Sequence, residues 1–462
     1  MADRLGNTDR YTTSQIRDMI FGLDAPIELD NKRMVPAINF DNAATTPPFK
    51  EVVGEIEWQL MYYGSIGRGE GQKSEHSSQV YVDGRDVVKD FVGANSDVYT
   101  VFYVNNTTDG INKLASALIE SPDDMILTTR MEHHANDLPW RERARTVYAE
   151  VDEKGRLMVD DLERLLEMHQ GSIKYVSVTA ASNVTGYVND VHYIAKIAHQ
   201  YGAKIIVDGA QIVAHREFSM LGQTPEEDID FFVFSAHKMY APFGGGAVVG
   251  LADVLNKHIP QFYGGGMVDG VCDESVSYSP APDRYEAGSP NYPGVVGMLK
   301  AMEILKCIGF EYIEKHGQRL LKKTLDGLKS IPGVVLYGDS ENIADRVGIV
   351  VFSLSGIRNE EVASRLAGHA GIAVRHAAFC AHPYVRRLTH ITESQYDSDE
   401  NCHAPEGMVR VSFGIYNDEK EVDCLLAMIR GMLSYEYPGG FRRGRMVSAL
   451  SEGRMDRPND RG

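Results

Sequence analysis

The sequence has few cysteines, a shortage of positive charge and no long apolar run. Its 462 residues include five cysteines, with no CxxC pair among them. This pattern indicates neither a disulfide framework nor a structural zinc site, so we expect a reducing compartment. Lys and Arg number 47 against 65 Asp and Glu, and the net charge is −18. Because nucleic acid and anionic membranes require a basic surface, neither is predicted as a partner.

Two further absences bear on location. No stretch approaches the roughly 18 consecutive apolar residues that predict a membrane-spanning helix, and residues 1–10 contain no apolar signal core. A cytoplasmic protein is therefore expected. With 43% hydrophobic and 24% charged residues the composition is that of an ordinary globular protein. Because a chain of this length exceeds the size over which one core keeps growing, two domains are predicted.

Short apolar runs alternate with helical patterns between about residues 36 and 300. This alternation is typical of βαβ units and predicts an α/β fold with a mainly parallel sheet. The clearest predicted strands cover 175–179, 204–208 and 231–235, with an amphipathic helix over 192–199. Polar residues gather behind these strands, where open α/β sheets bind ligands.

A long helical pattern over about 295–329 leads into a predicted second domain. There, strands near 333–336 and 348–353 alternate with helices near 359–370 and 419–435. Cys307 and Cys424 fall in helical apolar patterns and are predicted to be core residues. The predicted organisation is an N-terminal segment (1–35), a large domain (36–300), a small α+β domain (301–436) and a disordered basic tail (437–462).

Lys238 lies directly behind the apolar run 231–234, in the segment FSAHKM. A lysine at the end of a buried strand is costly unless it is neutralised, paired or used covalently. The glycines of 244–246 follow at once and allow a close backbone approach. Lys238 is therefore a candidate Schiff-base residue.

Other polar residues at the predicted strand ends suit an anionic aromatic ligand. Asp208 ends an apolar strand and needs a cationic partner, which a pyridinium nitrogen would supply; a helix cap is the alternative. Thr107 and Thr108 precede a helical run and form either a phosphate cradle or a plain N-cap. Asn183 and His133 also follow strand-like runs. Taken alone, Asn183 is an ordinary turn residue, while His133 could stack on a ligand ring, bind a metal or be a polar loop residue.

Several motifs occur in one order along the chain. They are 40–47 (FDNAATTP), 107–108 (TT), 132–136 (EHHAN), 182–186 (SNVTG), 208–211 (DGAQ), 235–238 (SAHK), 285–291 (YEAGSPN), 410–412 (RVS) and 416–417 (YN). On these motifs the chain, from about residue 40 to 433, resembles the class V aminotransferase family of pyridoxal-phosphate enzymes. Within that family it resembles the type II cysteine desulfurases and selenocysteine lyases. The resemblance implies pyridoxal-phosphate transferase fold type I, with a sheet of the seven-stranded type in the large domain.

The resemblance also implies a role for each matching residue. Lys238 would bind pyridoxal 5'-phosphate covalently and later carry the Cα proton. Asp208 would keep the ring nitrogen protonated, and His133 would stack on the ring. The remaining cofactor ligands would act as two groups: Gln211 and Asn183 on the phenolate oxygen or nearby substrate groups, and Thr107, Thr108, Ser235 and His237 on the phosphate.

Two further matches concern the substrate and the assembly. Arg410 matches the arginine that clamps the substrate carboxylate, which suits the fixed fork of a guanidinium. Asn183 and Arg375 are further substrate-binding candidates. Ser289 matches a position that reaches the phosphate from a second subunit, so a homodimer with shared active sites is implied.

Cys380 decides which chemistry is expected. It lies in 375–383 (RHAAFCAHP), which is similar to the loop that carries the sulfur-accepting cysteine of the desulfurases. Such a thiolate needs a partly exposed loop and nearby positive charge, which Arg375 could provide. The resemblance then implies conversion of L-cysteine to L-alanine, with a persulfide on Cys380 and a sulfur-acceptor protein or small thiol as partner. A buried or idle cysteine is the alternative.

Three departures from the family pattern keep other functions open. Residues 65–69 (SIGRG) replace an Asn-x-His-Arg-Gly motif, no His precedes Cys380, and 389–406 forms an acidic insertion. The insertion could be a lid, a docking surface or a solvated loop. One alternative function is another class V enzyme in which Cys380 is dispensable: a C–S lyase on a modified cysteine or selenocysteine, an aminotransferase or an epimerase. A non-catalytic scaffold is the remote alternative.

Overall fold

The protein is described from a computed structural model that covers residues 11–67, 69–390 and 407–434. The predicted basic tail (437–462) lies outside the described residues, as does the segment 391–406 of the acidic insertion. The α-helices are α1 Thr13–Met19, α2 Lys50–Met61, α3 Gln72–Phe91, α4 Thr107–Leu118, α5 Leu138–Arg141, α6 Val159–Met168, α7 Val191–Gln200, α8 Ala252–Leu255, α9 Tyr292–Ile308, α10 Phe310–Lys329, α11 Asn359–Ala370, α12 His382–Leu388 and α13 Glu419–Leu433.

The strands form one large sheet, one medium sheet and three strand pairs. They are β1 Pro26–Glu28, β2 Met34–Pro36, β3 Ile38–Asn39, β4 Tyr99–Val104, β5 Met125–Thr129, β6 Arg145–Ala149, β7 Ile173–Thr179, β8 Lys204–Asp208, β9 Phe231–Ser235, β10 Gly246–Leu251, β11 Val268–Val271, β12 Val276–Tyr278, β13 Val334–Tyr337, β14 Ile349–Leu354, β15 Ile372–Ala373, β16 Arg375–Ala377 and β17 Met408–Ser412.

The large sheet has seven strands in the order β4-β10-β9-β8-β7-β5-β6. Strand β10 runs antiparallel to both neighbours, whereas β5 to β9 pair in parallel. The predicted α/β fold with a mainly parallel sheet is therefore confirmed. The three strands predicted over 175–179, 204–208 and 231–235 are also confirmed as β7, β8 and β9.

The central strands are mostly apolar and almost wholly buried because both faces of the sheet are covered. Val176, Val207 and Phe232 pack into one hydrophobic cluster. Their neighbours Tyr175 and Ile206 point to the opposite cluster. This is the continuous apolar pattern of a parallel strand buried on two sides. It leaves the strand ends as the place where the sheet can present polar groups.

The long helix predicted over about 295–329 is wrong in one respect, since two helices occupy that range. Gly309 separates α9 from α10 and has a φ of 92°. An L-residue with a side chain rarely adopts that conformation, so glycine ends the first helix there. The apolar periodicity of both helices is continuous in the sequence and conceals the break.

A four-stranded sheet in the order β13-β14-β17-β16 forms the second unit. It has its own hydrophobic cluster, to which α10, α11 and α13 contribute. Phe40 belongs to this cluster, and β3 pairs in parallel with β15. The residues just before the motif 40–47 are therefore packed against the C-terminal sheet. The boundaries near residues 35, 300 and 436 stay predictions.

Two cysteines lie elsewhere than predicted. Cys307 and Cys424 are both exposed, so their assignment to the core is wrong. Other residues form the buried face of each helix. The prediction was wrong because cysteine was counted as an apolar residue of that face. None of the helices in 11–67, 69–390 and 407–434 combines the length and the apolar character needed to cross a membrane.

Candidate active site

The predicted site residues converge because parallel strands end at one edge of the sheet. Asp208 is the last residue of β8, and Ser235 is the last residue of β9. Lys238 follows in the short 3-10 turn Ala236–Lys238. Thr179, at the end of β7, is the register partner of Asp208. Three neighbouring strands thus deliver polar groups to one place.

Asp208 and Lys238 are ionisable groups in a buried site, and neither forms an ion pair within 4 Å with another of the described residues. Asp208 is 4% exposed and accepts one main-chain hydrogen bond, from Ala210 N–H to Oδ1 at 2.9 Å. Burial raises the pKa of Asp208, which the hydrogen bond and Lys238 only partly offset. Burial also lowers the pKa of Lys238 to about 8, with Asp208 opposing and Arg410 adding to the shift. The site therefore holds a lysine that loses its proton readily.

A hydroxyl and amide cluster lies where α4 begins. The main-chain N–H of Thr107 donates to Ser235 Oγ at 2.7 Å, and the two hydroxyl oxygens are also 2.7 Å apart. Asn106 caps the helix by accepting from Asp109 N–H. Thr108 is exposed beside this helix end. Free N–H groups and hydroxyls at a helix N-terminus suit an anionic group such as phosphate.

His133 is a neutral ring held by its own main chain. Its Nδ1 accepts from Ala135 N–H at 3.0 Å. Burial, and then the charge of Lys238, lower the pKa of His133 to about 3. The preceding Glu132 is buried and is bonded by Thr129, Asn136 and the main chain of Thr179. This network holds the His133 turn rigidly against β7.

Cys380 is exposed and lies on the loop between β16 and α12, whose other residues Ala378, Phe379 and Ala381 are buried. Ala377, Phe379 and Cys380 all have positive φ, so the loop is unusually sharp. The side chain of Asn183 donates to the carbonyl of Phe379 at 2.8 Å. The loop is thus attached to a turn that follows β7. The alternative of a buried cysteine is therefore wrong, while the choice between a sulfur-accepting and an idle cysteine stays a prediction.

A cavity of about 600 Å³ lies between the start of α4, the His133 turn and the Cys380 loop. Its lining includes Thr108, His133, His134, Leu138 and Cys380. Cys380 therefore faces the same cavity as His133 and the exposed hydroxyl of Thr108.

Arg410 is a buried cation on β17. It donates from Nη1 to the carbonyl of Asn183 at 2.9 Å and from Nη2 to Asp41 at 3.0 Å, and its guanidinium lies 5.0 Å from the centre of the Phe379 ring. Within the described part of the chain, its Nε has no hydrogen-bond partner. Arg375 is half exposed and also pairs with Asp41, at 2.9 Å. Two cations therefore share one carboxylate.

Three predicted ligands make other contacts in this structure. Gln211 donates to the carbonyl of Ala43 at 2.8 Å, and the carbonyl of His237 accepts from the main chain of Thr46 at 2.9 Å. Ser289 is exposed and lines a separate small cavity of about 150 Å³, beside Gly245. The assigned roles of these three residues stay predictions.

The residues present suit pyridoxal phosphate. The buried Asp208 carboxylate has only one hydrogen bond from the described residues, which leaves it available for a cationic ring nitrogen. Lys238 is an amine with a pKa of about 8, and the start of α4 offers hydroxyls and N–H groups. A neutral His133 can stack on an aromatic ring. The donor set therefore has one group for each part of such a cofactor.

Two residues of the site were not identified as functional from the sequence. Asp41 lies in the quoted motif 40–47, but nothing in one sequence indicates that its carboxylate meets two arginines more than 300 positions later. His134 lies beside His133, and its N–H donates to the carbonyl of Cys380. Both residues lie in motifs that the sequence analysis singled out. The sequence did not show which residues they contact, so it assigned them no role.

Comparison with known proteins identifies the family. The profile described as Aminotransferase class-V matches residues 38–425. A cysteine desulfurase of Haloferax volcanii is 34% identical over 403 residues, which cover 85% of this chain and 89% of that protein. A cysteine desulfurase of Klebsiella pneumoniae is 32% identical over 404 residues, covering 85% and 92%.

Solved structures agree with these relatives. An apo cysteine desulfurase from Thermococcus onnurineus superposes with a TM-score of 0.76 at 30% identity, over 86% of this chain and 94% of that one. A cysteine desulfurase from Escherichia coli gives 0.74 at 26% identity, over 91% and 98%. The implied pyridoxal-phosphate transferase fold type I is thereby confirmed. The chain belongs to the class-V aminotransferase family, in which it is similar to the cysteine desulfurases.

Proposed function

We propose that this protein is a pyridoxal-phosphate-dependent cysteine desulfurase, which converts L-cysteine to L-alanine and transfers the sulfur to Cys380. The observation that carries the proposal is an exposed cysteine on a sharp loop, which lines one cavity with His133 and follows Phe379, the ring over which Arg410 lies. A lysine suited to hold the cofactor and an arginine suited to hold an amino-acid carboxylate therefore share one site with a thiol.

Pyridoxal phosphate, when bound, would supply an electron sink for negative charge that develops at the substrate Cα. Lys238 would hold the cofactor covalently and afterwards move the Cα proton, for which a pKa of about 8 is well placed. Asp208 would keep the ring nitrogen protonated. His133 would stack on the ring as a neutral imidazole, because its pKa of about 3 keeps it uncharged at physiological pH.

The phosphate and the substrate would be held by groups that are already oriented. Thr107, Thr108, Ser235 and His237 would bind the phosphate, helped by the N-terminus of α4. Asn183 and Gln211 would bind the phenolate oxygen or nearby substrate atoms. Arg410 would bind the substrate carboxylate. Its Nε is unpaired among the described residues, while Asn183 and Asp41 orient the guanidinium through Nη1 and Nη2.

The sulfur step would be a nucleophilic attack at the substrate sulfur, with the substrate Cβ as the leaving group. The Cys380 thiolate attacks the substrate sulfur, an S–S bond forms and the C–S bond breaks. The substrate Cβ takes a proton. L-cysteine and the Cys380 thiol thereby become L-alanine and a Cys380 persulfide, without an external oxidant or reductant. A second thiol, on an acceptor protein or a small molecule, would then take the outer sulfur.

Substitution of the thiol tests the function directly. The holoenzyme is incubated with L-cysteine, alanine is quantified and the Cys380 peptide is analysed by mass spectrometry for an added sulfur. Cys380→Ala is expected to keep the yellow cofactor and to lose at least about 100-fold in alanine release. Cys424→Ala is the matched control, because it removes another exposed thiol, which lies on α13. It should keep the parental rate.

Two results would count against this function. Parental alanine release by Cys380→Ala would favour another class V enzyme, such as a C–S lyase on a modified cysteine or selenocysteine, in which Cys380 is dispensable. Absence of a cofactor band in the purified parent would favour a non-catalytic scaffold. A persulfide found on Cys424 rather than Cys380 would leave the reaction but overturn the assigned acceptor.

Assembly and location follow as further parts of the proposal. A homodimer is supported by apolar side chains exposed on one chain, among them Trp58, Met61 and Tyr63. Ser289 would then reach the phosphate of the second subunit. Free thiols at Cys272, Cys307, Cys380 and Cys424 are consistent with a reducing, cytoplasmic location. Sedimentation of the holoenzyme tests the dimer, and a monomer would contradict the shared site.

A further inference from the structure

Among the described residues, Asp41 is the carboxylate that pairs with both Arg375 and Arg410. Its Oδ1 accepts from Arg410 Nη2 at 3.0 Å, and its Oδ2 pairs with Arg375 Nη2 at 2.9 Å. Both of its oxygens are therefore used, one for each guanidinium. The two arginines differ sharply in exposure, with side chains 3% exposed for Arg410 and 50% for Arg375.

The backbone brings the two arginines together whether or not they attract. Arg375 and Arg410 are direct register partners in the antiparallel pair of β16 and β17. Like charges placed directly opposite each other in a sheet repel. The shared carboxylate removes that repulsion, and without it Arg375, which is half exposed, is free to turn into the solvent.

Asp41 itself is fixed to the same sheet. It forms a parallel bridge with Ser412 at the end of β17. Its N–H donates to Asn39 Oδ1 at 3.0 Å, and the N–H of Ser412 donates to the carbonyl of Phe40 at 2.7 Å. The carboxylate therefore has little freedom to follow a moving partner, and it acts as a fixed point for both arginines.

The position of Arg375 connects this pair to the sulfur chemistry. Arg375 begins β16, the strand that leads within five residues to Cys380. Arg410 lies on the other side of Asp41 and stacks over Phe379, the residue before Cys380. Asp41 thus holds the loop at two points. Its pair with Arg375 holds the strand that leads into the loop, and its pair with Arg410 holds the guanidinium that lies over Phe379.

We propose that Asp41 is a positioning residue for sulfur transfer, which couples the arginine that binds the substrate carboxylate to the loop that carries Cys380. The proposal rests on the proposed function for its kinetic consequence. Asp41 fixes the distance between bound substrate and thiol, so its loss slows the transfer step. It does not weaken substrate binding, because Arg410 keeps its contact with Asn183 and its positive charge.

The test combines kinetics with hydrogen exchange on the holoenzyme. Asp41→Asn keeps the shape and removes the charge. We expect roughly a tenfold lower kcat with L-cysteine, a KM no higher than that of the parent, and a parental cofactor spectrum. Exchange in peptides covering 375–383 should quicken at least about threefold, while peptides of α13 keep the parental rate.

Arg375→Gln removes the same contact from the other side and lies on the surface, so it tests the proposal even where Asp41→Asn fails to fold. It should lower kcat and quicken the same exchange, although it leaves the pair of Arg410 with Asp41 in place. The double variant should be no slower than Asp41→Asn alone, because that substitution already weakens the pair with Arg375.

Several results would overturn the coupling. They are a parental kcat in Asp41→Asn or Arg375→Gln, additive losses in the double variant, or a raised KM at parental kcat, which would make Asp41 part of substrate binding alone. Unchanged exchange in 375–383 would do the same. The exchange measurement needs no turnover, so it separates failure of this proposal from failure of the desulfurase function, which Cys380→Ala tests.

Discussion

The main-chain N–H of His134 donates a hydrogen bond to the carbonyl oxygen of Cys380 over 2.7 Å. The bond joins the turn that presents His133 to the loop that presents the thiol. The His134 side chain makes a second contact, since its Nε2 accepts from the main-chain N–H of His382 at 3.3 Å. Its ring also lies edge-on to the His382 ring, with centroids 4.6 Å apart. His134 therefore binds the Cys380 loop through its main chain, at Cys380, and through its side chain, at His382.

Replacement of His134 by alanine should loosen the loop without removing the cofactor. The main-chain bond to Cys380 remains, but the N–H of His382 loses its acceptor. We expect kcat with L-cysteine to fall by roughly threefold to tenfold, in line with one lost hydrogen bond. The cofactor spectrum should remain parental. His134→Gln keeps an acceptor of similar reach and should recover most of the rate; equal loss in both variants would contradict this role.

Asp208 should control the reaction rate through its charge. Asp208→Asn has the same shape but cannot keep a ring nitrogen protonated, so kcat should fall roughly 100-fold. The matched control is Asp230→Asn, because Asp230 is also a buried carboxylate beside the sheet but pairs with Lys204 and His199. That variant should unfold at a lower temperature and keep a near-parental kcat. Comparable rate losses in both would show a general effect of buried charge.

Lys238 predicts a pH dependence for cofactor capture by the apoprotein. Burial lowers the pKa of Lys238 from 10.5 to about 8. Below that value the amine carries a proton and has no lone pair, so the capture rate should rise about tenfold per pH unit and level off above pH 8. Absorbance after rapid mixing with pyridoxal phosphate measures it. Lys238→Ala should show no such phase, and a rise centred near 10.5 would contradict the shift.

Arg346 should stabilise the contact between the two sheets without affecting the chemistry. This residue is 1% exposed and donates to three carbonyls, those of Thr185, Asp339 and Ile349. Arg346→Met leaves these carbonyls unpaired, at about 1 to 3 kcal/mol each. We expect a clearly lower midpoint of thermal unfolding. Arg358→Met, at an exposed arginine, should keep the parental midpoint; equal midpoints would contradict the role.

The sequence was most informative where local pattern and structure obey the same rule. Strands β7, β8 and β9 could be predicted because strands buried on both faces contain short, nearly continuous apolar runs. The helix over 359–370 was predicted with the right ends. The break at Gly309 was missed because apolar periodicity continues across it. The wrong burial of Cys307 and Cys424 has a similar origin, since helical pattern alone does not say which face a weakly apolar residue takes.

The sequence by itself determined the family, because the motifs that contain Lys238 and Asp208 occur in the family's order along the chain. Only the tertiary structure decided how those groups are held, because a single sequence contains no partners. Asp41 meets Arg375 and Arg410 through strand pairing across most of the chain. His134 reaches Cys380 through a bond between two loops. Such contacts arise from strand pairing and from contacts between loops, and both bring together residues that no local pattern connects.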